Sequence, residues 1–245
     1  MKKKQPVKYT NLIYGVHPVQ ELLESRRLKI GAIYTLKNPI KSWATMSKLI
    51  PGHIPVSLVT RETLDNVANS KDHQGIIAFV GDFPFSQSIF TPDKQKFVVV
   101  LDEIQDVRNL GAILRSAYCT GVDGVVLVRS NAASLTPAAF KASAGLALHL
   151  PIYLAPSIKA ALFELKKAGY HIYCATLGGS ESVANFTFQD PAVLVIGNEE
   201  TGISNDVAKM GTRILLPQRR PDISYNASVA AGILMYSIGL QLKKI

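Results

Sequence analysis

Three short apolar runs limit what this chain can become. Phe97-Val98-Val99-Val100-Leu101, Gly124-Val125-Val126-Leu127-Val128 and Val193-Leu194-Val195-Ile196 contain no polar side chain. A strand with one wet face alternates apolar and polar residues, whereas a strand covered on both faces reads as a continuous apolar run. Helical patterns are interleaved with these runs at Leu110 to Thr120, Pro137 to Ala147, Ile158 to Ala168 and Ala227 to Leu242, with further strands expected at His171 to Ala175 and Ile214 to Leu216. Strand–helix alternation of this kind predicts a doubly wound α/β domain over residues 97–245, a parallel sheet whose ligands gather at the carboxyl ends of the strands.

The first third of the chain alternates on a smaller scale. Val16, Val19, Leu22 and Leu23 recur at helical spacing and predict an amphipathic helix over residues 12–27. Strands are expected at Ile30 to Leu36, Val56 to Val59 and Gly75 to Val80. A helix from Trp43 to Ile50 should stop at Pro51-Gly52, and another from Arg61 to Ala68 has Thr60 as its N-cap. Together these make a compact α/β domain over residues 1–81. Residues 82–96 hold turn formers, no period and no net charge, and read as an interdomain linker.

Charge separates the two parts. The chain carries 27 Lys and Arg against 18 Asp and Glu. Residues 1–81 hold 12 bases and 5 acids, while residues 97–245 hold 13 and 11. A positive field concentrated in one small domain favours a polyanionic partner such as RNA, because phosphate contacts and counterion release supply much of nucleic-acid affinity. No apolar run reaches the roughly 18 residues that a membrane span needs. The basic N-terminus is followed by no apolar stretch, so no signal peptide is expected and the reading is cytoplasmic. Cys119 and Cys174 have no metal-ligand spacing and read as buried thiols in a reducing compartment. The five histidines form no metal pattern either.

Three segments that follow predicted strands concentrate glycines and polar residues. They are Leu101 to Arg115 (LDEIQDVRNLGAILR), Val195 to Ser204 (VIGNEETGIS), and Leu215-Leu216-Pro217 continuing into Ser224 to Gly232 (SYNASVAAG). They contain no phosphate-binding GxxxxGK[ST], no dinucleotide GxGxxG and no GxSxG nucleophile elbow. What remains is a site of Arg, Asn, Glu and Ser with glycines that let backbone approach a ligand. Such groups suit binding and positioning better than metal or covalent catalysis.

These three segments resemble the three motifs of the SpoU branch of the knotted SPOUT methyltransferases. The first motif, LDxIxDPxNLGAIxRTA, is matched with Val107 for Pro and Ser116 for Thr. The second, GxExxG[IM], is met by Gly197, Glu199, Gly202 and Ile203. The third, IPMxGxxxSLNVSxA, is met at Pro217, Ser224, Asn226, Ser228 and Ala230, and departs at Leu216, Gln218, Arg220, Tyr225 and Ala227. Further upstream, Tyr14 to Leu23 (YGVHPVQELL) and His73-Gln74-Gly75-Ile76 are similar to the substrate-binding domain of the RlmB-type 23S rRNA (guanosine-2′-O-)-methyltransferases.

The resemblance implies an S-adenosylmethionine-dependent, metal-free transfer of a methyl group to a ribose 2′-hydroxyl, on a guanosine of large-subunit rRNA. It also implies a trefoil knot over about residues 190–245 and a homodimer packed through the knotted regions, for which the apolar helix 227–242 can supply a surface. Asn109, Arg115, Glu199, Ser224 and Asn226 become the catalytic candidates. Thr176, Leu177, Gly178, Gly197, Leu216 and Tyr225 match cofactor positions.

Local chemistry offers plainer readings beside these. Asn109, just before the expected helix, can be a cap and Arg115 a surface cation. Glu199 can be a solvated loop acid, or it can orient Arg115 or Asn226. Ser224 and Asn226 can cap the last helix. His17 and His73 suit local hydrogen bonding. A guanidinium is a poor proton acceptor, so Arg115 fits phosphate holding and stabilisation of a developing alkoxide, with proton removal shared with Ser224 or water. A tRNA ribose methyltransferase and a non-catalytic RNA-binding protein of the same fold are the alternative readings.

Overall fold

The computed structural model describes residues 9–38, 40–178, 181–220 and 223–245. They form two compact units. One holds the described residues up to Pro84 together with Leu135–His149; the other holds Phe85–Ser134 and Leu150–Ile245.

The first unit is a four-stranded mixed sheet with helices. Its strands are β1 (Asn11–Tyr14), β2 (Ile30–Leu36), β3 (Val56–Val59) and β4 (Ile76–Val80), in the order β1-β4-β2-β3. Strand β4 runs antiparallel to β1 and β2, while β2 and β3 are parallel. The expected helix 12–27 is split: β1 precedes α1 (Val16–Ser25), and Gly15 between them has φ 98, a conformation open to glycine. Gly15 N–H donates to the Ile76 carbonyl, and the Gln74 side chain accepts from Val16 N–H, so the two N-terminal motif segments meet at the start of α1.

His73 is fully buried. It accepts from Gly75 N–H through Nδ1 (2.9 Å), so its Nε2 is the donor to Asp65 (2.7 Å), a local structural role. Thr60 caps α3 (Arg61–Ala68) as expected. The expected helix 43–50 is α2 (Trp43–Met46) continued by a 3-10 turn, Ser47–Leu49. The expected helix 137–147 is α5 (Pro137–Ala142) plus a 3-10 turn, Leu146–His149, broken where Ala144 and Gly145 take positive φ. This segment packs in the first unit: Arg27 donates to the Leu148 carbonyl and His149 bonds Glu21.

The second unit is an all-parallel seven-stranded sheet. It comprises β5 (Phe97–Leu101), β6 (Gly124–Val128), β7 (Ile152–Ala155), β8 (His171–Ala175), β9 (Glu181–Ser182), β10 (Ala192–Ile196) and β11 (Thr212–Leu215), in the order β7-β6-β5-β10-β8-β11-β9. Every residue of β5, β6 and β10 is buried, as continuous apolar runs require. On one face Val98, Val100, Val126, Val193 and Val195 pack with Ala161, Leu162 and Leu165 of α6 (Ile158–Lys167). Helices α4 (Val107–Cys119) and α8 (Ala227–Gln241) pack together, with Gly232 facing Ser116.

Phe90, in the segment read as linker, is 3% exposed and seated in this unit's core, and Ser86 bridges to Tyr153 of β7. Strands β7 and β9 and the short α7 (Asn205–Ala208) are additions to the sequence reading. Of the two thiols, Cys174 is buried but Cys119, in the last turn of α4, is exposed, so its expected burial is corrected. No helix among the described residues is long and apolar enough to cross a membrane.

Candidate functional site

The carboxyl ends of β5, β10, β8 and β11 deliver the three sequence segments, and the 176–178 loop, to one edge of the sheet. The loop after β10 is closed on itself. Gly202 N–H donates to the Asn198 carbonyl (3.0 Å), and the Asn198 side chain accepts from Glu200 and Thr201 N–H (2.9 and 3.1 Å). Its amide end donates to the Glu103 carbonyl (2.7 Å), tying this loop to the one after β5. Glu103 holds φ 56 and accepts from Asn131 through its carboxylate. Gly197 has no room for a side chain: a Cβ there would lie 2.4 Å from the Gly202 carbonyl carbon. That close approach of two backbones explains the first glycine of the second motif.

Glu199 is a three-fold acceptor. It takes the Asn109 side-chain amide at 3.0 Å, Gln105 N–H at 3.3 Å and Asp106 N–H at 3.4 Å. A carboxylate at the amino end of the 13-residue α4 also complements the helix dipole. The expected orientation of Arg115 or Asn226 by Glu199 is therefore corrected: among the described residues its partners are Asn109 and the turn before α4. Asn109 is also not outside the helix. The helix begins at Val107 with Asp106 as N-cap, accepting from Arg108 N–H (2.7 Å), and Asn109 sits buried in the first turn. The capping signal had been carried by the aspartate three residues earlier.

These loops enclose a cavity of about 380 Å³, within the roughly 300–1,000 Å³ usual for small-molecule sites. Thr176, Leu177, Gly178, Gly197, Glu199, Leu216, Ser224 and Tyr225, all singled out from sequence, line it. So do Asn198 and Arg213, which the sequence reading did not select. An asparagine that bonds its own backbone two residues on is a recognisable turn signal, and an arginine inside an apolar strand is a recognisable anomaly.

The wall fits an adenosine-bearing cofactor in two respects. It is apolar at Leu177, Ile196, Leu215, Leu216 and Leu234, and it presents the buried Thr176 hydroxyl, which has no hydrogen-bond partner among the described residues. A buried hydroxyl left alone is costly, so a ligand acceptor or donor there would relieve it.

Asn226 caps α8: its side-chain oxygen accepts from Ser228 N–H (2.9 Å) and from the Ser228 hydroxyl (2.6 Å). The plain reading of Asn226 is thus observed, and capping fixes the backbone that carries Ser224 and Tyr225 to the cavity. Arg115 stands apart. It is exposed, does not line the cavity, and has no hydrogen bond or ion pair among the described residues. Six residues along a helix is a rotation of about 240°, so Asn109 and Arg115 project on different faces of α4.

Beside this cavity, Asp102 is 8% exposed, and burial together with the charge of Glu103 pushes its carboxyl up to about 6. Burial likewise pushes the Cys174 thiol up to about 11, consistent with an inert core thiol.

Comparison with known proteins agrees with this geometry. The profile of the SpoU rRNA methylase family matches residues 96–236, and that of the RNA 2′-O ribose methyltransferase substrate-binding domain matches residues 12–85. The chain is 31% identical over 235 residues to a protein of Bacillus subtilis (strain 168) assigned to the TrmH family of tRNA/rRNA methyltransferases, covering 92% of this chain and 94% of that one. A relative with the same assignment in Staphylococcus haemolyticus is 32% identical over 240 residues, covering 93% and 94%.

Among solved structures, an RNA 2′-O ribose methyltransferase superposes with a TM-score of 0.82 at 19% identity, covering 95% of this chain and 88% of that one. The SpoU methyltransferase AviRb from Streptomyces viridochromogenes, solved with S-adenosylmethionine, superposes with a TM-score of 0.79 at 22% identity, covering 96% and 91%. With family profiles spanning both units and two relatives matched over nearly their whole length, the chain belongs to the SpoU family and is an S-adenosylmethionine-dependent RNA ribose 2′-O-methyltransferase.

Proposed function

We propose that this enzyme methylates a ribose of large-subunit ribosomal RNA, on a guanosine, in the cytoplasm. The observation that carries the site assignment is the convergence of Glu199, Ser224, Tyr225 and the 176–178 loop on one cavity at the carboxyl edge of the sheet, with Asn109 bonded to Glu199 at 3.0 Å. The ribosomal target is supported by the substrate-binding unit ahead of the catalytic one and by its excess of positive charge, 12 bases against 5 acids over residues 1–81. In this reading that unit holds and selects RNA and residues 97–245 carry the chemistry. About residues 190–245 would form the family's knot, a reading supported by α8 packing back onto α4 and β10, two elements that precede it.

The mechanism follows from what each side chain can do. S-adenosylmethionine supplies an electrophilic methyl group. Thr176, Leu177, Gly178, Gly197, Leu216 and Tyr225 would hold it, the apolar side chains and Tyr225 covering its adenine and the Thr176 hydroxyl meeting a polar atom. Glu199, locked to Asn109 and to the turn before α4, keeps the 197–203 loop in place so that the ribose oxygen approaches in line. Such positioning supplies much of the rate in a displacement of this kind. Ser224, exposed at the rim, would accept a hydrogen bond from the ribose hydroxyl and relay its proton to water as the oxygen–methyl bond forms and the sulfur–methyl bond breaks. Arg115, free and always charged, holds RNA phosphate and stabilises the oxygen as negative charge develops.

A homodimer through α8 belongs to the same proposal. This helix is apolar all round: Leu234, Met235 and Ile238 are buried, yet Val229, Ile233, Tyr236 and Leu240 form an exposed stripe at helical spacing. A helix of that kind needs cover on both sides, and a second copy presenting the same stripe supplies it.

The deciding experiment gives the purified protein S-adenosylmethionine labelled in its methyl group, with either 23S rRNA or total tRNA, and maps the labelled ribose. Label in a 23S guanosine is the expected result. Label confined to tRNA would move the target, and label on a base would overturn the ribose assignment.

A further inference from the structure

Arg213 is the only cation among the side chains lining the cavity, and no hydrogen bond or ion pair among the described residues engages it. It is the second residue of β11, in register with Cys174 of β8. Strand side chains alternate, so Arg213 and Leu215 share a face; both line the cavity, while Ile214 between them is fully buried on the other side. The guanidinium is close enough to Cys174 for its charge to oppose the burial-driven rise of that thiol. A half-buried arginine beside an apolar core and without an acceptor is an unfinished arrangement. Charges are buried at a cost that a partner must offset.

The cavity's two acids, Glu199 and Glu200, lie on the loop after β10, and Glu199 reaches from there to the turn between β5 and α4. The sheet order β5-β10-β8-β11 sets β11 three strand spacings from β5, roughly 14 Å. The site is therefore anionic toward β5 and cationic toward β11.

S-adenosylmethionine carries two cations, its sulfonium and its ammonium, and one anion, its carboxylate. A sulfonium beside Arg213 would be repelled, whereas the carboxylate matches a guanidinium fork in charge and in shape. We propose that Arg213 binds the carboxylate of the cofactor's amino-acid tail, directing the sulfonium toward the Glu199 side and selecting ligands with an intact tail. This assignment rests on the reading of the cavity as the cofactor site. It makes Arg213 a specificity-determining residue with no part in bond making.

The test is calorimetric titration of the full chain with S-adenosylhomocysteine, which keeps the tail, and with 5′-methylthioadenosine, which lacks it. Arg213→Gln should weaken S-adenosylhomocysteine by on the order of tenfold or more, the usual scale for losing a hydrogen-bonded charge pair. Methylthioadenosine should bind the variant within roughly twofold of wild type, which also shows that the variant is folded. Arg213→Lys, keeping the charge without the fork, should retain part of the preference for the tailed ligand.

Unchanged S-adenosylhomocysteine affinity in Arg213→Gln would overturn the proposal. So would an equal loss for both ligands, which would place the guanidinium against the adenosine or make it part of the cavity's framework. If wild type binds neither ligand at millimolar concentration, the cofactor-site reading itself fails, and that outcome is visible before any variant is made.

Discussion

The contact between Asn109 and Glu199 joins two of the three sequence segments, and its strength can be worked from the geometry. Hydrogen bonds to a charged group contribute about 1.5–3 kcal/mol each, neutral ones about 0.5–1.5. Two of the three bonds to Glu199 are long, at 3.3 and 3.4 Å, and their backbone donors can turn to water. The third, at 3.0 Å, is partly buried and its donor belongs to a side chain only 8% exposed. Most of the coupling therefore sits in that bond, and after allowing for partial solvation it should be about 1–1.5 kcal/mol.

The assay is a double-mutant cycle by urea unfolding with Asn109→Ala, Glu199→Ala and the double variant. Glu199→Ala should cost about 2 kcal/mol, since it strands the Asn109 amide and removes a carboxylate from a helix amino end. The double variant should cost about 1 kcal/mol less than the sum of the two. Affinity for S-adenosylhomocysteine should fall in step, because the loop that Glu199 anchors forms the cavity wall. Additivity within about 0.3 kcal/mol would refute the reasoning, leaving Glu199 as a solvated loop acid.

Arg115→Ala should abolish methyl transfer while changing stability by less than about 0.5 kcal/mol, since the side chain is exposed and unpaired; normal turnover in single-turnover assays would remove it from the mechanism. Gly197→Ala places a Cβ 2.4 Å from a backbone carbon, so it should cost about 1–3 kcal/mol and lower S-adenosylhomocysteine affinity, read by thermal shift and calorimetry. Wild type should be dimeric by light scattering at micromolar concentration if α8 forms the proposed interface, and Ile233→Glu, which puts a charge in the exposed stripe of that helix, should then be monomeric.

Asp102→Asn should stabilise the protein at pH 8, with a gain that shrinks as pH falls through about 6 and vanishes near 4. The folded carboxyl is raised to about 6, against about 3.9 in an unfolded chain, so the wild-type penalty for ionising it grows across that window. Thermal unfolding at a series of pH values checks it.

The sheet of the second unit was legible because its strands announce themselves. Residues 97–101 and 124–128 begin and end where the sequence pattern put them, since a doubly covered strand tolerates only apolar side chains; 171–175 does so too, although it opens on the exposed His171 and only its middle three residues are buried. The elements that escaped notice lack such a constraint. Strand β1 is four residues long and is held by antiparallel pairing with β4, sixty-odd positions away; its apolar residues continued the helical period of α1, and only the φ of Gly15 separates the two. Strand β7 has half-buried residues at Tyr153 and Leu154, and β9 and α7 have two and four residues. Pairing across the fold, not local propensity, creates such elements.

The site was legible as a set of residues and less so as a set of contacts. Gly197, Glu199, Ser224 and Tyr225 were found through the motif pattern, and all four line the cavity. Their partners could not be inferred by spacing, because Glu199 meets Asn109 across 90 residues of chain. The same limit governs the domain boundary. Sequence order assigns residues 135–149 to the span 97–245, yet Arg27 bonds the Leu148 carbonyl and Glu21 bonds His149 within the first unit. Gly145 is pressed against Pro18 and Glu21, where a Cβ would come within 2.8 Å of backbone, so this segment is fitted to α1 and not merely near it. The first unit is thus completed by chain that lies beyond the first motif. Cutting at residue 81 or 90 would strip α5 and its following turn of the surface they bury. The contribution of the first unit to RNA binding is therefore better measured by removing its exposed lysines, such as Lys29, Lys37, Lys41, Lys48 and Lys71, than by truncation.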